Sequence, residues 1–261
     1  EKHEIEWDAS AAEKGGYAHF MLKEIMEQPE AVRKTISPRL ADGEIVLEEL
    51  RDAKELMKSI SRIYIVACGS AYHVGMVGKY ALEKMMHIPV EACLASEFRY
   101  SEPILGESSL VIIISQSGET LDSMAALREA KRRGSKVLSI VNVMGSSIAR
   151  ESDYVLYTWA GPEIAVATTK AYTTQMVLLL MFGVYLAKQL DRMEQEEYMA
   201  VTRGLQELPE KISIVLSDID HYQKAASRYF NHNSVFYIGR NLDYALGLEG
   251  SLKLKEISYI H

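Results

Sequence analysis

Three hydroxyl side chains stand within six residues directly after an aliphatic run, in the segment SQSGET at positions 115–120. Ser115, Ser117 and Thr120 can all donate hydrogen bonds, and Gly118 lets the backbone approach a ligand closely. If the segment joins a strand to a helix, the free N–H groups at the helix start favour an anion. A cap for that helix needs only one hydroxyl, so three of them favour a phosphate site over a simple cap.

A second candidate turn follows another aliphatic run, in the segment CGSAYH at positions 68–73. We expect Ser70 to face the same ligand, because both turns would leave the carboxyl edge of one sheet. The pattern is not G-x-G-x-x-G, and no acidic residue follows a second strand about 20 positions on, which disfavours a dinucleotide. We interpret Cys68 as a small apolar filler and His73 as a surface or partly buried helix residue.

Small and hydroxylated residues also precede a long apolar helix, in the segment AVATTKAYTTQ at positions 165–175. Val166, Ala167 and Thr168 can offer backbone amides and a hydroxyl to the hydroxyl groups of a sugar. An ordinary helix N-cap accounts for the same pattern equally well. Both interpretations stay open on the residues alone.

Three charged residues recur on one face of a predicted helix, at Glu249, Lys253 and Glu256. Residues at i, i+4 and i+7 lie on the same side of a helix. A solvated stripe of salt bridges is the more frequent cause of this pattern. The alternative is a carboxylate buried in an otherwise apolar helix, whose raised pKa would suit a general base.

The elements that position these residues alternate between short aliphatic runs and helical segments. Runs that are aliphatic on both faces are typical of strands buried in a parallel sheet. The predicted strands are Ile63–Ala67, Val90–Leu94, Leu110–Ile114, Lys136–Val141 and Tyr154–Thr158, with helices near 72–86, 121–133 and 146–151. This alternation predicts an α/β domain over residues 45–195, preceded by a helical leader or linker over residues 1–44 with a break at Pro29.

A similar strand, glycine turn and helix recur late in the sequence. Gly69 and Gly239 mark the same point of the segments RIYIVACGS and SVFYIGRN, which indicates a duplicated domain. The sequence ends at His261, within or just after the second helix. We therefore expect residues 196–261 to hold a helical connection and only the N-terminal part of a second domain.

The composition excludes several classes of protein. With 29 Lys and Arg against 36 Asp and Glu, the formal net charge is −7, which disfavours a nucleic-acid-binding surface. The 2 cysteines are too few for a disulfide framework and fit a reduced cytoplasmic setting. The most apolar window, Met176–Ala187, is shorter than the ~20 residues that span a bilayer, so we expect no membrane segment.

Six segments together resemble one family: CGSAYH, EFRY, SQSGET, VATTKAYTTQ, LEGSLKLKEISYIH and the leader EKGGYAHFMLKEI. In this order they resemble the sugar-isomerase (SIS) portion of glutamine–fructose-6-phosphate aminotransferases, also called glucosamine-6-phosphate synthases, over nearly the whole chain. The resemblance implies a three-layer αβα SIS domain with a five-stranded, mainly parallel sheet, followed by the start of a second SIS domain.

The resemblance also implies roles for individual residues. Matching the phosphate-binding positions are Ser115, Gln116, Ser117 and Thr120, and matching the sugar-binding positions are Ser70, Val166, Ala167 and Thr168. Glu256 matches a carboxylate that moves a proton between C1 and C2 of the sugar, and Lys253 matches a lysine near the sugar oxygens. Ala71 departs from a serine common in the family, so one hydroxyl for the phosphate is missing.

The implied activity converts fructose 6-phosphate, with ammonia released from glutamine, to glucosamine 6-phosphate for amino-sugar and cell-wall precursors. The family uses no metal or organic cofactor and forms homodimers. It carries a glutaminase domain before this region, and a histidine and a lysine of its site after it. We therefore expect this chain alone to bind sugar phosphate better than it converts it. A non-catalytic SIS sensor and a related sugar-phosphate deglycase or deaminase are the alternatives.

Overall fold

The protein, seen in a computed structural model that describes residues 13–261, is an α/β structure. Its strands are β1 (Leu40–Ala41), β2 (Glu44–Ile45), β3 (Arg62–Ala67), β4 (Val90–Leu94), β5 (Ser109–Ser115), β6 (Lys136–Val141) and β7 (Tyr154–Tyr157). Its helices are α1 (Phe20–Met26), α2 (Gln28–Ile36), α3 (Lys54–Ser59), α4 (Ser70–Met86), α5 (Ala95–Phe98), α6 (Leu121–Arg132), α7 (Ser147–Glu151), α8 (Lys170–Gln189), α9 (Gln195–Ser217), α10 (Ile219–Tyr229) and α11 (Leu242–Ser258). Two 3-10 segments, Ser37–Arg39 and Glu48–Ala53, lie between α2 and α3.

Five strands form one sheet in the order β4-β3-β5-β6-β7, and every neighbouring pair is parallel. All five predicted strands are confirmed, each to within one residue at either end. Every residue of β5 is buried, because helices cover both faces of the sheet and leave no wet side. The expected α/β class with a five-stranded parallel sheet is confirmed.

Two apolar clusters on opposite faces of the sheet make the three layers. On one face the core includes Leu82 of α4 and Phe182 of α8. On the other face Phe98, Leu127 and Ile148 bring in α5, α6 and α7. Residues of α4 and α8 on one face, and residues of α6 and α7 on the other, can therefore contact a ligand at the edge of the sheet.

Helix α8 is the central helix of the larger cluster. It has 20 residues and is long and apolar enough to cross a membrane by length and composition, yet 83% of its apolar window is buried inside the protein. Leu178, Phe182 and Leu186 are fully buried against α2 and α4. Its burial is that of a core helix.

The N-terminal leader folds back onto the start of α8. The Glu24 carboxylate accepts hydrogen bonds from the backbone N–H groups of Ile164 at 2.6 Å and Ala165 at 3.1 Å. Buried Lys170 forms an ion pair with Glu27 at 2.6 Å. The leader thus shapes the segment before α8, while the domain boundaries drawn from the sequence stay a prediction.

The predicted second copy is only partly formed. Helix α11 is present, but the strand expected before it is not: Val235, Phe236 and Ile238 lie outside regular structure, and the last two are 91% and 92% exposed. A strand needs a neighbouring strand to form a ladder of hydrogen bonds, and within residues 13–261 this segment joins no sheet, although the Val235 N–H donates to the His261 carbonyl at 3.0 Å. The prediction of a strand directly before α11 was wrong for this chain.

A glycine-to-alanine change tests the close contact between α4 and α8. A Cβ on Gly78 would lie 2.5 Å from Leu179 Cδ2 and 2.8 Å from Ile65 Cδ1, two buried side chains. A Cβ on Gly204 in α9 meets nothing within 4 Å, which makes it the matched control. Both changes gain about 1 kcal/mol of helix propensity. We expect Gly78→Ala to unfold in urea with about 1–3 kcal/mol less stability than Gly204→Ala; equal stabilities would contradict the contact.

Candidate functional site

A cavity of about 230 Å³ opens at the carboxyl ends of β3 and β5. From β3 the chain crosses to β4 on one side, whereas from β5 it crosses to β6 on the other. Ligands of doubly wound sheets bind at such a point of divergence. Seven of the predicted site residues line this cavity, namely Ser70, Ser115, Gln116, Ser117, Thr120, Val166 and Thr168.

The hydroxyls of the 115–120 loop hold the loop in shape. Ser115 Oγ accepts a hydrogen bond from the Gly118 N–H at 3.0 Å and lies 3.0 Å from Thr120 Oγ1. Ser117 Oγ accepts one from the Glu119 N–H at 3.2 Å. Thr120 occupies the N-cap position of α6 but makes no capping hydrogen bond with its side chain. The Thr120 side chain therefore does not cap the first N–H groups of α6, and the simple-cap interpretation of this segment does not hold.

Neighbouring elements brace this loop from behind. The Asn142 N–H donates to the Gln116 carbonyl at 3.2 Å, and the Ile148 N–H donates to the Gly118 carbonyl at 3.0 Å. The Glu119 carboxylate accepts the Ser147 N–H at 2.7 Å, and this hydrogen bond holds the pKa of Glu119 below its usual value. The loop is therefore pre-organised by β6 and α7 before any ligand binds.

The first turn of α4 forms the second wall. Ser70 is buried at the helix start, where Gly69 makes no side-chain cap, so this helix also begins uncapped at the cavity. Ala71 lines the cavity beside it and brings no hydroxyl. Cys68 lines it as well, and burial raises the pKa of its thiol, which keeps it protonated and weakly reactive near pH 7. Burial likewise raises the pKa of Cys93 to about 11.

The start of α8 differs, because a carboxylate caps it. Glu163 accepts the backbone N–H groups of Thr169 at 2.9 Å and Ala171 at 3.1 Å, and it also accepts the Thr168 hydroxyl. Glu163 lines the cavity and was not predicted. It reaches the cap from six residues before Thr169, outside the local spacing by which a capping residue is found in a sequence. Thr168 is left with only its oxygen lone pairs for a ligand.

Two predicted sugar-site residues differ in placement. Val166 lines the cavity with a fully exposed side chain, whereas Ala167 is not among the lining residues. Ala165 takes the neighbouring place instead. Gln175, from the second turn of α8, is a further lining residue that sequence reasoning missed.

The charged face of α11 does not line the cavity. Glu249 is the buried member, and its Oε2 lies 2.7 Å from His73 Nδ1 on α4. Lys253 is 3.5 Å from Glu249 and also pairs with Glu256, whose side chain is 39% exposed. Burial, and then the charge of Glu249, raise the pKa of Tyr172 above its usual value. The structure thus places Glu256 and Lys253 in a salt-bridge network; the catalytic roles assigned to them stay a prediction.

Within the part of the chain that the structure describes, no three His, Cys, Asp or Glu side chains are placed to hold a metal ion. What the cavity offers is backbone amides, hydroxyls, the side-chain amides of Gln116 and Gln175, and the Glu163 carboxylate that caps α8. The amides and hydroxyls recognise oxygen atoms, with the uncapped helix starts favouring negative charge.

Comparison with known proteins places the chain in a family. Residues 56–185 match the SIS domain family. The chain is 53% identical, over its full length, to the glutamine–fructose-6-phosphate aminotransferase (isomerizing) of Clostridium acetobutylicum, and 55% identical over 99% of its length to that of Caldanaerobacter subterraneus. It matches the solved C-terminal domain of glucosamine-fructose-6-phosphate aminotransferase from Francisella tularensis with a TM-score of 0.92 at 42% identity, covering 95% of this chain and 70% of that one. The chain belongs to this aminotransferase family.

Membership in the aminotransferase family confirms the resemblance seen in the sequence motifs. The chain spans 43% of the length of each of the two curated aminotransferases. Its matched portion is the one that contains the SIS domain. The fold around the cavity is therefore similar to that of the solved C-terminal domain from Francisella tularensis.

Gly118 can be tested against Gly145, a glycine with nearly the same positive φ. Gly118 and Gly145 have φ of +66° and +67°, but only a Cβ on Gly118 would collide, at 2.0 Å from Ser146 Oγ. We expect Gly145→Ala to lower the free energy of unfolding by about 1–2 kcal/mol through left-handed strain. Gly118→Ala should cost about 1–3 kcal/mol more through overpacking.

A second change separates the collision from the backbone strain. In a Ser146→Gly background the Ser146 side chain is gone, so the excess cost of Gly118→Ala over Gly145→Ala should disappear in urea unfolding. An excess of the same size in that background would show that the collision with Ser146 is not its cause.

Proposed function

We propose that this chain is the sugar-isomerase portion of a glutamine–fructose-6-phosphate aminotransferase and binds fructose 6-phosphate in the cavity between β3 and β5. The observation that carries the proposal is the 115–120 loop, which presents an uncapped helix start to a cavity lined by hydroxyls. Amides at a helix start and a neighbouring hydroxyl stabilise a phosphate without a lysine. The identity of the sugar, fructose 6-phosphate, is taken from the names of the aminotransferase relatives.

The phosphate anchors the substrate and the rest of the cavity orients it. With the phosphate on the α6 side, Ser115, Gln116, Ser117 and Thr120 surround it, and Ser70, Val166, Ala167 and Thr168 serve the sugar. Binding energy gained from the phosphate positions the reacting carbons, which lie several bonds away. Glu163 stays a helix cap, because its oxygens already accept three hydrogen bonds.

The reaction we propose joins ammonia to the C2 carbonyl of fructose 6-phosphate with loss of water, which gives a 2-imine. A base then removes a proton from C1 while the imine nitrogen gains one, which gives an enolamine. Return of a proton to C2 with loss of the C1 hydroxyl proton leaves the aldose glucosamine 6-phosphate. In our proposal Glu256 moves the proton between C1 and C2, and Lys253 assists near the sugar oxygens. No metal or organic cofactor is required for these steps.

The proposal includes partners. Ammonia comes from glutamine hydrolysed by a glutaminase domain, and the enzyme acts as a homodimer in the cytoplasm on the route to UDP-GlcNAc and cell-wall precursors. Nucleic acid and membrane are not partners, which agrees with the acidic net charge of −7 and with the burial of α8.

Binding by this chain tests the phosphate site directly. We expect Ser117→Ala and Thr120→Ala each to weaken fructose 6-phosphate binding by about 10- to 100-fold, because a hydrogen bond to a charged group is lost. Calorimetric titration with fructose 6-phosphate and with free fructose measures the effect, and fructose should show none. Ser59→Ala, an exposed serine bonded to the Leu56 carbonyl, is the control. An equal loss of affinity for fructose 6-phosphate and for free fructose would contradict the assignment of the phosphate site.

The catalytic proposal needs a polypeptide that extends over the full length of the curated relatives. Supplied with fructose 6-phosphate and ammonium, Glu256→Gln should lower kcat by about 10²- to 10⁴-fold, as expected for the loss of a general base. Glu207→Gln is the matched control, since Glu207 is also an exposed carboxylate paired with a lysine on its own helix. Full activity of Glu256→Gln would contradict the catalytic roles and indicate that Glu256 and Lys253 form only a surface salt bridge. A wild-type protein that binds the sugar phosphate but forms no product would favour the non-catalytic sensor.

A further inference from the structure

Gln175 is a buried polar residue in the cavity wall. It is 2% exposed, and its side-chain Nε2 has no hydrogen-bond partner among residues 13–261. Burying an amide N–H₂ group without a partner destabilises the folded state, because the group loses its hydrogen bonds to water and gains none in return. Native proteins satisfy the large majority of buried polar atoms, so an orphan donor in a cavity wall points to a ligand atom.

Two neighbouring polar residues of α8, Thr173 and Thr174, are hydrogen-bonded within the protein. The Thr173 hydroxyl lies 2.6 Å from Gln28 Oε1, and the Thr174 hydroxyl lies 3.0 Å from the Lys170 carbonyl. Both are hydrogen bonds within the protein, and neither residue lines the cavity. Tyr172, one turn before Gln175, also has a hydroxyl without a partner among the described residues, but it does not line the cavity. Gln175 is therefore the unpartnered residue of this helix that reaches the cavity.

Gln175 approaches the cavity from the side opposite the phosphate loop. Helices α4 and α8 belong to the apolar cluster on one face of the sheet, whereas α6 belongs to the cluster on the other face. A ligand whose phosphate lies at the start of α6 extends its carbon chain toward α4 and α8. There the Thr168 hydroxyl is already donated to Glu163, which leaves a need for another donor.

We propose that the Gln175 side-chain amide donates a hydrogen bond to an oxygen atom on the carbon chain of the bound sugar phosphate, and so sets specificity for the sugar. This inference rests on the proposed function, since it takes the ligand to be fructose 6-phosphate. The cost of the unpaired amide in the free protein is relieved on binding.

The decisive variant is Gln175→Met, which removes the donor with little change in side-chain volume. We expect its Kd for fructose 6-phosphate to rise about tenfold, while binding of inorganic phosphate is unchanged. Because the orphan amide is gone, the Tm of the free protein should rise by about 2–4 °C. Thr174→Val, at a fully buried residue of the same helix turn that does not line the cavity, is the control and should bind both ligands as the wild type does.

Loss of affinity together with a gain in Tm is an outcome that a purely structural role cannot produce. A second variant, Gln175→Glu, keeps the oxygen acceptors and loses the donor, so it should weaken fructose 6-phosphate binding at least as much. Unchanged fructose 6-phosphate affinity in either variant overturns the inference, and so does an equal loss for inorganic phosphate in the uncharged Gln175→Met variant. If the wild-type protein binds fructose 6-phosphate no better than free fructose, it is the proposed function that fails.

Discussion

The chain leaves β3 and β5 in opposite directions, and the cavity depends on this divergence. The fully buried strand β5 lies beside β3, which is buried except at Arg62, yet their crossovers go to opposite edges of the sheet, toward β4 and toward β6. Neither of these two crossovers runs over the gap between the strands. Hence α4 and α6 both begin at the same edge, with their amides directed toward one space.

Helix capping then divides that space by charge. Among residues 13–261, α4, α6 and α8 start around the cavity, and Glu163 caps α8 with its carboxylate. In the same described part of the chain, the N-cap residues of α4 and α6 make no side-chain cap. An anion is therefore attracted to the α6 side by amides and repelled from the α8 side by a negative charge. This asymmetry disfavours an anion at the start of α8 and leaves the uncapped starts of α4 and α6 as the places that favour negative charge.

What could be predicted from the sequence follows from how local each signal is. The strands and the 115–120 loop were found because aliphatic runs and clustered hydroxyls are contiguous. Glu163 and Gln175 were missed because a cap from six residues away and an unpaired buried amide exist only once α8 is packed. The prediction of a strand before α11 was wrong for the same reason. Val235 and its neighbours have a strand-like pattern, but pairing depends on a partner that the local pattern does not contain.

The charged face of α11 shows how one helical pattern can serve two purposes. A carboxylate is stable inside a protein only when it is paired, and Glu249 is paired on both sides, by His73 of α4 and by Lys253 one turn along. Glu256 lies two turns from Glu249, where the helix face has reached solvent. The buried carboxylate expected in this stripe is thus Glu249, which attaches α11 to the helix whose start lines the cavity. Glu256 is the exposed end of the same stripe and pairs with Lys253 on its own helix, so it does not attach α11 to α4 as Glu249 does.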